Sequence, residues 1–135
     1  MTRSVLLGYQ WVTGLSDTAT GALLCVAPAF TLRLMGLHAP ADARPYVSYI
    51  GAFVLSVGIA CLYGALLVAQ RAGVERLEAV WLLTAFSRSA VAIYVLKAIV
   101  SGSLEPAWVT VATFDAVCVA IQAIGLRQGW LPHAL

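Results

Sequence analysis

Three ionisable side chains lie inside long apolar stretches of this chain. Asp17, Arg88 and Asp115 each fall well within a segment long enough to cross a bilayer, where charged side chains are costly and usually face partners in the protein interior. Two carboxylates beside one guanidinium carry a net negative charge, so one carboxyl group can hold a proton while the other stays ionised. Such a pair is suited to general acid–base chemistry, in which one group donates a proton and the other accepts one.

The three residues are predicted to lie at one depth. At a helical rise of about 1.5 Å per residue, each is about 15–18 Å from the end of its span that lies towards the chain termini, near the bilayer midplane. Each also shares a helical stripe with polar or small residues. These companions are Gln10, Gly14 and Gly21 for Asp17, Trp81, Thr84 and Val95 for Arg88, and Trp108, Ala112 and Gln122 for Asp115. The sequence therefore predicts that the three side chains converge.

A structural role is the alternative for this cluster. Arg88 would then be the counter-ion that keeps two carboxylates in a low-dielectric interior and locks three helices together. An apolar triad is usually at least as stable as a buried charged one. The presence of three buried charges therefore favours a function beyond stability.

Five further side chains are predicted to form a binding site around the cluster. Thr84 and Gln122 supply polar groups for a ligand or a water molecule, and Trp11, Tyr63 and Phe114 supply apolar walls. The three cysteines lack metal-ligand spacing, and the two histidines are far apart in a loop and a tail. Neither a metal nor a cofactor is expected.

The composition is typical of a membrane protein. Of the 135 residues, 61% are hydrophobic and 10% are charged, whereas soluble domains have roughly 45–50% and about 25%. A span takes about 20 apolar residues, so the chain has room for about four spans and no soluble domain beside them. The net charge of +2 is too small to indicate a nucleic-acid partner.

Apolar length and turn signals predict one all-α domain over 1–135, an integral membrane bundle of four transmembrane helices with up-down topology. The spans are predicted at about 5–34, 46–70, 78–100 and 107–127. Pro28 should kink the first span. The N-terminal stretch is expected to remain as a span and not to be removed as a signal peptide, because Gln10 and Asp17 interrupt it.

The distribution of arginines predicts the orientation. Four spans put both termini on one side of the membrane, and that side has the larger number of arginines. They are Arg3, Arg71, Arg76 and Arg127, against Arg33 and Arg44 on the other side. Because positive loops stay inside, both termini are expected in the cytoplasm, with the lipid bilayer around the spans.

Small residues on the second span predict close helix packing. Ser56, Ala60 and Gly64 recur every four residues, and Gly51, Gly58 and Gly64 form a second small surface. Packing within the bundle is the simpler interpretation, and a homodimer face is the alternative.

The first three spans also carry a short, degenerate pattern. It consists of Gly14-x-x-Asp17-x-x-x-Gly21, Pro28, Met35-Gly36-Leu37, a glycine-rich second span and Arg88 in the third. This pattern resembles the DoxX-like group of small bacterial four-helix membrane proteins. The resemblance covers most of the chain by topology, and it implies a four-helix fold in a bacterial inner membrane more than an activity.

The Asp–Arg–Asp set is similar to that of limonene-epoxide-hydrolase-like enzymes. Those enzymes are soluble and have a different fold; one carboxylate activates water, the other protonates the epoxide oxygen, and the arginine holds both. Because the same chemistry recurs on unrelated folds, the resemblance is one of side chains alone.

Three functions remain open from these residues. The first is a membrane-embedded enzyme acting on a lipophilic small molecule, isoprenoid- or sterol-like, by epoxide hydration, cyclisation or isomerisation, with Asp17 and Asp115 as acid and base and Arg88 orienting them. The second is a proton-coupled carrier or channel, because membrane carboxylates also serve in proton relays. The third is a non-catalytic membrane subunit or lipophilic-ligand-binding module.

Overall fold

A computed structural model describes residues 1–135, and all of the regular structure is helical. The four long helices are α1 (Arg3–Val26), α3 (Arg44–Ala69), α4 (Val74–Val100) and α5 (Val109–Arg127). The short helices are α2 (Pro28–Leu34) and α6 (Trp130–Ala134), with 3-10 turns at Ala41–Ala43 and Pro106–Trp108. The predicted all-α class is confirmed.

Three helical stretches are long and apolar enough to cross a membrane. They are Ala41–Ala69, Val74–Val100 and Pro106–Arg127, which include α3, α4 and α5. Although α1 has 24 residues, it is not one of the three. Its apolar character is reduced by Gln10, Asp17 and several hydroxyl side chains, all of which lie within the helix. The chain is thus a helical membrane protein with three candidate spans.

The first predicted span, 5–34, is divided into two helices, which corrects the expectation of a kink within one helix. Ala27 has φ −143° and ψ 59°, outside the helical region, and Pro28 begins α2. Proline lacks a backbone N–H, and its ring clashes with the preceding turn of a continuous helix. The first helix therefore stops at Val26, and the second starts at Pro28 with Ala27 between them.

The remaining helix boundaries differ from the predicted ones by a few residues. The third long helix begins at Val74 and not at residue 78, with Gly73 as its N-cap. This extension places Glu75 in the first turn, where the positive end of the helix dipole favours a carboxylate. Pro45 lies in the first turn of α3, where its missing N–H removes no helical hydrogen bond.

Glycines bring α1 and α3 into close antiparallel contact. A Cβ atom at Gly21 would overlap the backbone of Leu55, and one at Gly58 would overlap the backbone of Thr18. The absence of side chains lets two helix backbones approach, which increases their van der Waals contact in an apolar environment. The small surface that includes Gly58 is therefore packed within the chain, while Ser56 on the other small stripe is exposed.

Apolar clusters close the two ends of the structure. The cluster near the termini contains Leu6, Leu67, Val68, Leu77, Val80, Trp81, Leu131 and Ala134, and the opposite one contains Leu24, Leu32, Leu37 and Val47. α6 contributes Leu131 and Ala134, so this short helix covers the end near the termini. The interior between the two clusters holds the buried polar side chains.

Replacing Gly58 by alanine should lower the free energy of unfolding in detergent by about 1–3 kcal/mol, because overpacking forces the helices apart. Gly8 is the matched control, since nothing lies within 4 Å of a Cβ atom placed there. Gly8→Ala should raise the free energy of unfolding by about 0.5–1 kcal/mol through helix propensity. Equal effects of the two substitutions in equilibrium denaturation would contradict the close packing of α1 on α3.

Candidate functional site

The guanidinium of Arg88 bridges the two buried carboxylates. Arg88 Nη1 donates a hydrogen bond to Asp115 Oδ1 at 2.7 Å, and Arg88 Nη2 donates one to Asp17 Oδ2. Both contacts are ion pairs, and they join α1, α4 and α5. The structure therefore brings together the three charged residues that the depth and stripe arguments selected.

The cluster is buried unevenly. The side chain of Arg88 is 3% exposed, while those of Asp17 and Asp115 are 10% and 12% exposed. A guanidinium fixes its donors in a plane, so each carboxylate is bound through a separate nitrogen and keeps one oxygen that Arg88 does not hold. The carboxylates are thus the more accessible members of the cluster.

Phe114 packs on the guanidinium. The Cζ atom of Arg88 lies 5.3 Å from the centre of the Phe114 ring, within the range of a cation–π interaction. The ring is 40% exposed on the outside of α5. Phe114 therefore lies between the cluster and the surroundings of the protein, in agreement with its predicted place beside the site.

Thr84 and Gln122 form a second buried polar contact near the cluster. Gln122 Nε2 donates to Thr84 Oγ1 at 2.7 Å, and the Thr84 hydroxyl donates to the carbonyl oxygen of Val80 at 2.8 Å. Thr84 is one helical turn from Arg88, and Gln122 is two turns from Asp115. Both lie on the side of the cluster nearer the termini.

The structure places Trp11 and Tyr63 elsewhere. Their side chains are 42% and 45% exposed and lie on the outer surfaces of α1 and α3. Each is next in sequence to a buried residue, Gln10 or Gly64, and successive residues of a helix point about 100° apart. This corrects their predicted role as walls of an interior site.

Two residues near this region are absent from the predicted binding site, although the sequence places Gln10 on the stripe of Asp17. Gln10 is fully buried, and neither polar atom of its amide has a hydrogen-bond partner. The hydroxyl of Tyr9 donates to the carbonyl oxygen of Cys118 at 3.5 Å, and its ring meets Trp81 edge-on at 5.6 Å. The position of Gln10 seven residues before Asp17, on the same stripe, is the signal that indicated it.

The side of the structure between α1 and α5 is held mainly by side chains. The backbone of α1 packs along α3, that of α4 along α5, and α3 also meets α4, but α1 and α5 share no extensive backbone contact. Instead, Tyr9 reaches Cys118, and Asp17 and Asp115 meet through Arg88. We call this side, where side chains and not helix backbones make the contacts, the seam between α1 and α5.

No set of three or more His, Cys, Asp or Glu side chains is placed to hold a metal ion. No protein-family model, no curated protein and no solved structure matches this chain.

Replacing Arg88 by methionine should lower the free energy of unfolding by about 3–5 kcal/mol, because it leaves two buried carboxylates without a counter-ion. Adding Asp17→Asn and Asp115→Asn should restore most of the lost free energy of unfolding, since neutral amides need no cation. Arg76→Met, at an exposed position, is the control and should change stability by no more than about 0.5 kcal/mol. If Arg88→Met left the free energy of unfolding unchanged in equilibrium denaturation, the ion bridge would not stabilise the fold.

Proposed function

We propose that this protein is a membrane-embedded acid–base enzyme that opens an epoxide on a lipophilic, isoprenoid- or sterol-like molecule. The observation that carries the proposal is the bridging geometry of Arg88, which holds two carboxylates on separate nitrogens of one guanidinium. A cluster needed only for charge balance would require one carboxylate for one arginine. The second carboxyl group supplies the proton-transfer partner that acid–base catalysis requires.

The proposed reaction balances with these groups alone. The ionised carboxylate removes a proton from water, whose oxygen forms a bond to an epoxide carbon. The C–O bond of the ring breaks, and the protonated carboxyl group donates its proton to the departing oxygen. The product is a diol, and the two carboxyl groups have exchanged protonation states, so a proton must return from one to the other. In cyclisation, a nucleophile of the substrate takes the place of water.

The roles of the individual residues follow from their positions. Arg88 balances one negative charge throughout and keeps the two carboxylates apart, and its planar donors fix both orientations. Asp17 and Asp115 act as the acid–base pair. General acid–base catalysis of this kind contributes roughly 10²–10⁴-fold to a rate.

A lipophilic substrate fits the surroundings of the site. Phe114 covers the guanidinium on the outside of α5. The substrate would enter at the seam between α1 and α5, where the helix backbones do not pack along each other, and reach the more accessible members of the cluster, the carboxylates. An apolar molecule that dissolves in the bilayer can therefore reach the carboxylates sideways without crossing an aqueous phase.

The same ion bridge supports α1 as a fourth transmembrane span. Arg88 lies in the middle of α4, which is long enough to cross the membrane, and its contact with Asp17 sets α1 at the same depth. The cost of placing the polar side chains of α1 in the bilayer is reduced because Gln10, Thr13 and Asp17 all face the interior. Four spans return both termini to the side richer in arginine, which we propose is the cytoplasmic side of a bacterial inner membrane.

In a cysteine-free background, Ser4→Cys and Gly73→Cys should react with an impermeant thiol probe from one side of the membrane. Ala41→Cys and Gly102→Cys should react from the other side, because each span reverses the direction of the chain. Labelling of intact cells and of inverted vesicles provides the comparison. Reaction of Ser4→Cys and Ala41→Cys from the same side would exclude α1 as a span.

Asp17→Asn and Asp115→Asn should each reduce turnover of a lipophilic epoxide by at least roughly 10²-fold, because the amide keeps the size of the side chain but exchanges no proton. Asp42→Asn, at an exposed residue of a 3-10 turn, is the matched control and should retain full activity. The measurement pairs diol or cyclised-product formation in bilayer nanodiscs with the melting temperature of each variant.

Arg88→Lys should also lose activity, because an ammonium group cannot hold two carboxylates in the geometry of a planar guanidinium. Asn variants that stay active and only melt earlier would contradict the enzyme and support a structural cluster.

The interior on the side of the cluster away from the termini gives a proton carrier less support than an enzyme. On the side away from the termini, the buried side chains of α4 and α5 are Ala92, Val95, Ala98 and Ala112. The hydroxyl of the buried Thr31 donates to the carbonyl oxygen of Ala27 in the preceding turn, so it does not extend a proton path. Proton flux into liposomes that disappears in Asp17→Asn would favour the carrier over the enzyme.

A further inference from the structure

Four of the five buried polar residues outside the cluster lie in the half of the interior nearer the termini. They are Gln10, Thr13, Thr84 and Gln122, and the fifth, Thr31, lies at the opposite end. Gln10 precedes Asp17 by seven residues on α1, and Gln122 follows Asp115 by seven residues on α5. Seven residues are about two helical turns, or about 10 Å. Because α1 and α5 run in opposite directions, both glutamines lie on the same side of the cluster.

Several of these groups have no partner within the protein. Gln10 Nε2 and Oε1, Gln122 Oε1, Trp81 Nε1 and Arg88 Nε are all buried and make no hydrogen bond. Trp81 and Gln122 are each at most 1% exposed, and Gln10 is fully buried. Native interiors pair more than about 90% of their buried polar groups, since each unpaired group carries its full desolvation cost. Buried groups of this kind are the ones that internal water pairs with in native proteins.

The chemistry of these atoms identifies the occupant. They include donors, at Gln10 Nε2, Trp81 Nε1 and Arg88 Nε, and acceptors, at Gln10 Oε1 and Gln122 Oε1. Water donates and accepts, and a buried water molecule typically makes about three hydrogen bonds. An anion would leave the acceptors unpaired, and a cation would leave the donors unpaired. Water pairs with both the donors and the acceptors, and it leaves the net charge of the interior unchanged.

The two halves of the interior differ in the polar side chains they contain. On the far side of the cluster, the inward positions of α4 and α5 are Ala92, Val95 and Ala112, which have no polar side-chain atoms. Among the unpaired buried atoms, Thr18 Oγ1 lies one residue beyond Asp17 and beside Gly58, whereas those of Gln10, Trp81 and Gln122 all lie on the side of the termini.

We propose that Gln10, Trp81 and Gln122 bind internal water that is continuous with the Asp17–Arg88–Asp115 cluster. A role for this water in catalysis rests on the proposed function. The water that hydrates the epoxide then reaches the carboxylates along the interior, while the lipophilic substrate comes from the bilayer through the seam between α1 and α5. The same water returns the proton between the two carboxyl groups after each turnover.

Water-to-protein polarisation transfer in solid-state NMR tests the site directly. The sample is the ¹⁵N-labelled protein in lipid bilayers, with the side-chain amide signals assigned by Gln10→Met and Gln122→Met. We expect the Gln10 and Gln122 amides and Arg88 Nε to receive polarisation from water far faster than the backbone amide of the buried Ala92. The exposed side chain of Gln70 provides the reference for full contact with water.

The double variant Gln10→Leu and Gln122→Leu should lose the rapid transfer to Arg88 Nε. Leucine removes unpaired amide groups and fills a similar volume, so the variant should fold and should melt at an equal or higher temperature. Gln70→Leu is the matched control and should leave the transfer to Arg88 unchanged. Transfer to Arg88 that persists in the double variant would overturn the proposed path.

The outcomes separate this inference from the proposed function. Transfer to the Gln10 and Gln122 amides as slow as that to Ala92 would overturn the water site, whatever the epoxide assay shows. Polarisation that arrives from lipid protons and not from water would also overturn it, in favour of a lipid polar group. Rapid transfer from water in a protein whose Asp17→Asn variant stays active would uphold the water site and contradict only the catalytic cluster.

Discussion

The arrangement of the helices depends on one arginine that neutralises charge on two helices at once. In an apolar interior, neither Asp17 nor Asp115 is stable as an isolated anion, and Arg88 is the one buried cation within hydrogen-bond distance of either. Meeting both carboxylates on a planar fork restricts the rotation and the depth of α1, α4 and α5 together. α1, the least apolar of the long helices, is thereby set at the depth of α4.

The four long helices do not pack equally closely around the Arg88 bridge. Glycines bring α1 against α3 so closely that a single Cβ atom would separate them, and α4 and α5 pack along each other. The seam between α1 and α5 lacks such contact and is closed by polar side chains. Polar groups that bridge a loosely packed seam can exchange partners with a ligand at lower cost than groups within a tightly packed core.

Much of the site could be predicted from the sequence, because its residues are conspicuous in apolar helices. The rise per residue gave Asp17, Arg88 and Asp115 a common depth, and the helical period gave Thr84 and Gln122 the faces that point towards them. The helical period predicts side-chain direction less well for residues at the edge of a helix face. Trp11 and Tyr63 have suitable depths, but each lies one residue from an inward position and so points outwards. The break at Ala27 depends on how the chain relaxes before Pro28, and the unpaired amide of Gln10 becomes visible only when all its neighbours are placed.

The proposed function requires that two carboxylates and an arginine activate water against an epoxide inside the membrane. A single-turnover reaction tests it, with protein in excess over a lipophilic epoxide in bilayer nanodiscs and in ¹⁸O-labelled water. We expect the diol formed in the first turnover to contain one ¹⁸O atom from water. A diol whose new oxygen is unlabelled in that turnover, and so comes from an aspartate carboxylate, or recovery of unchanged epoxide, would contradict it.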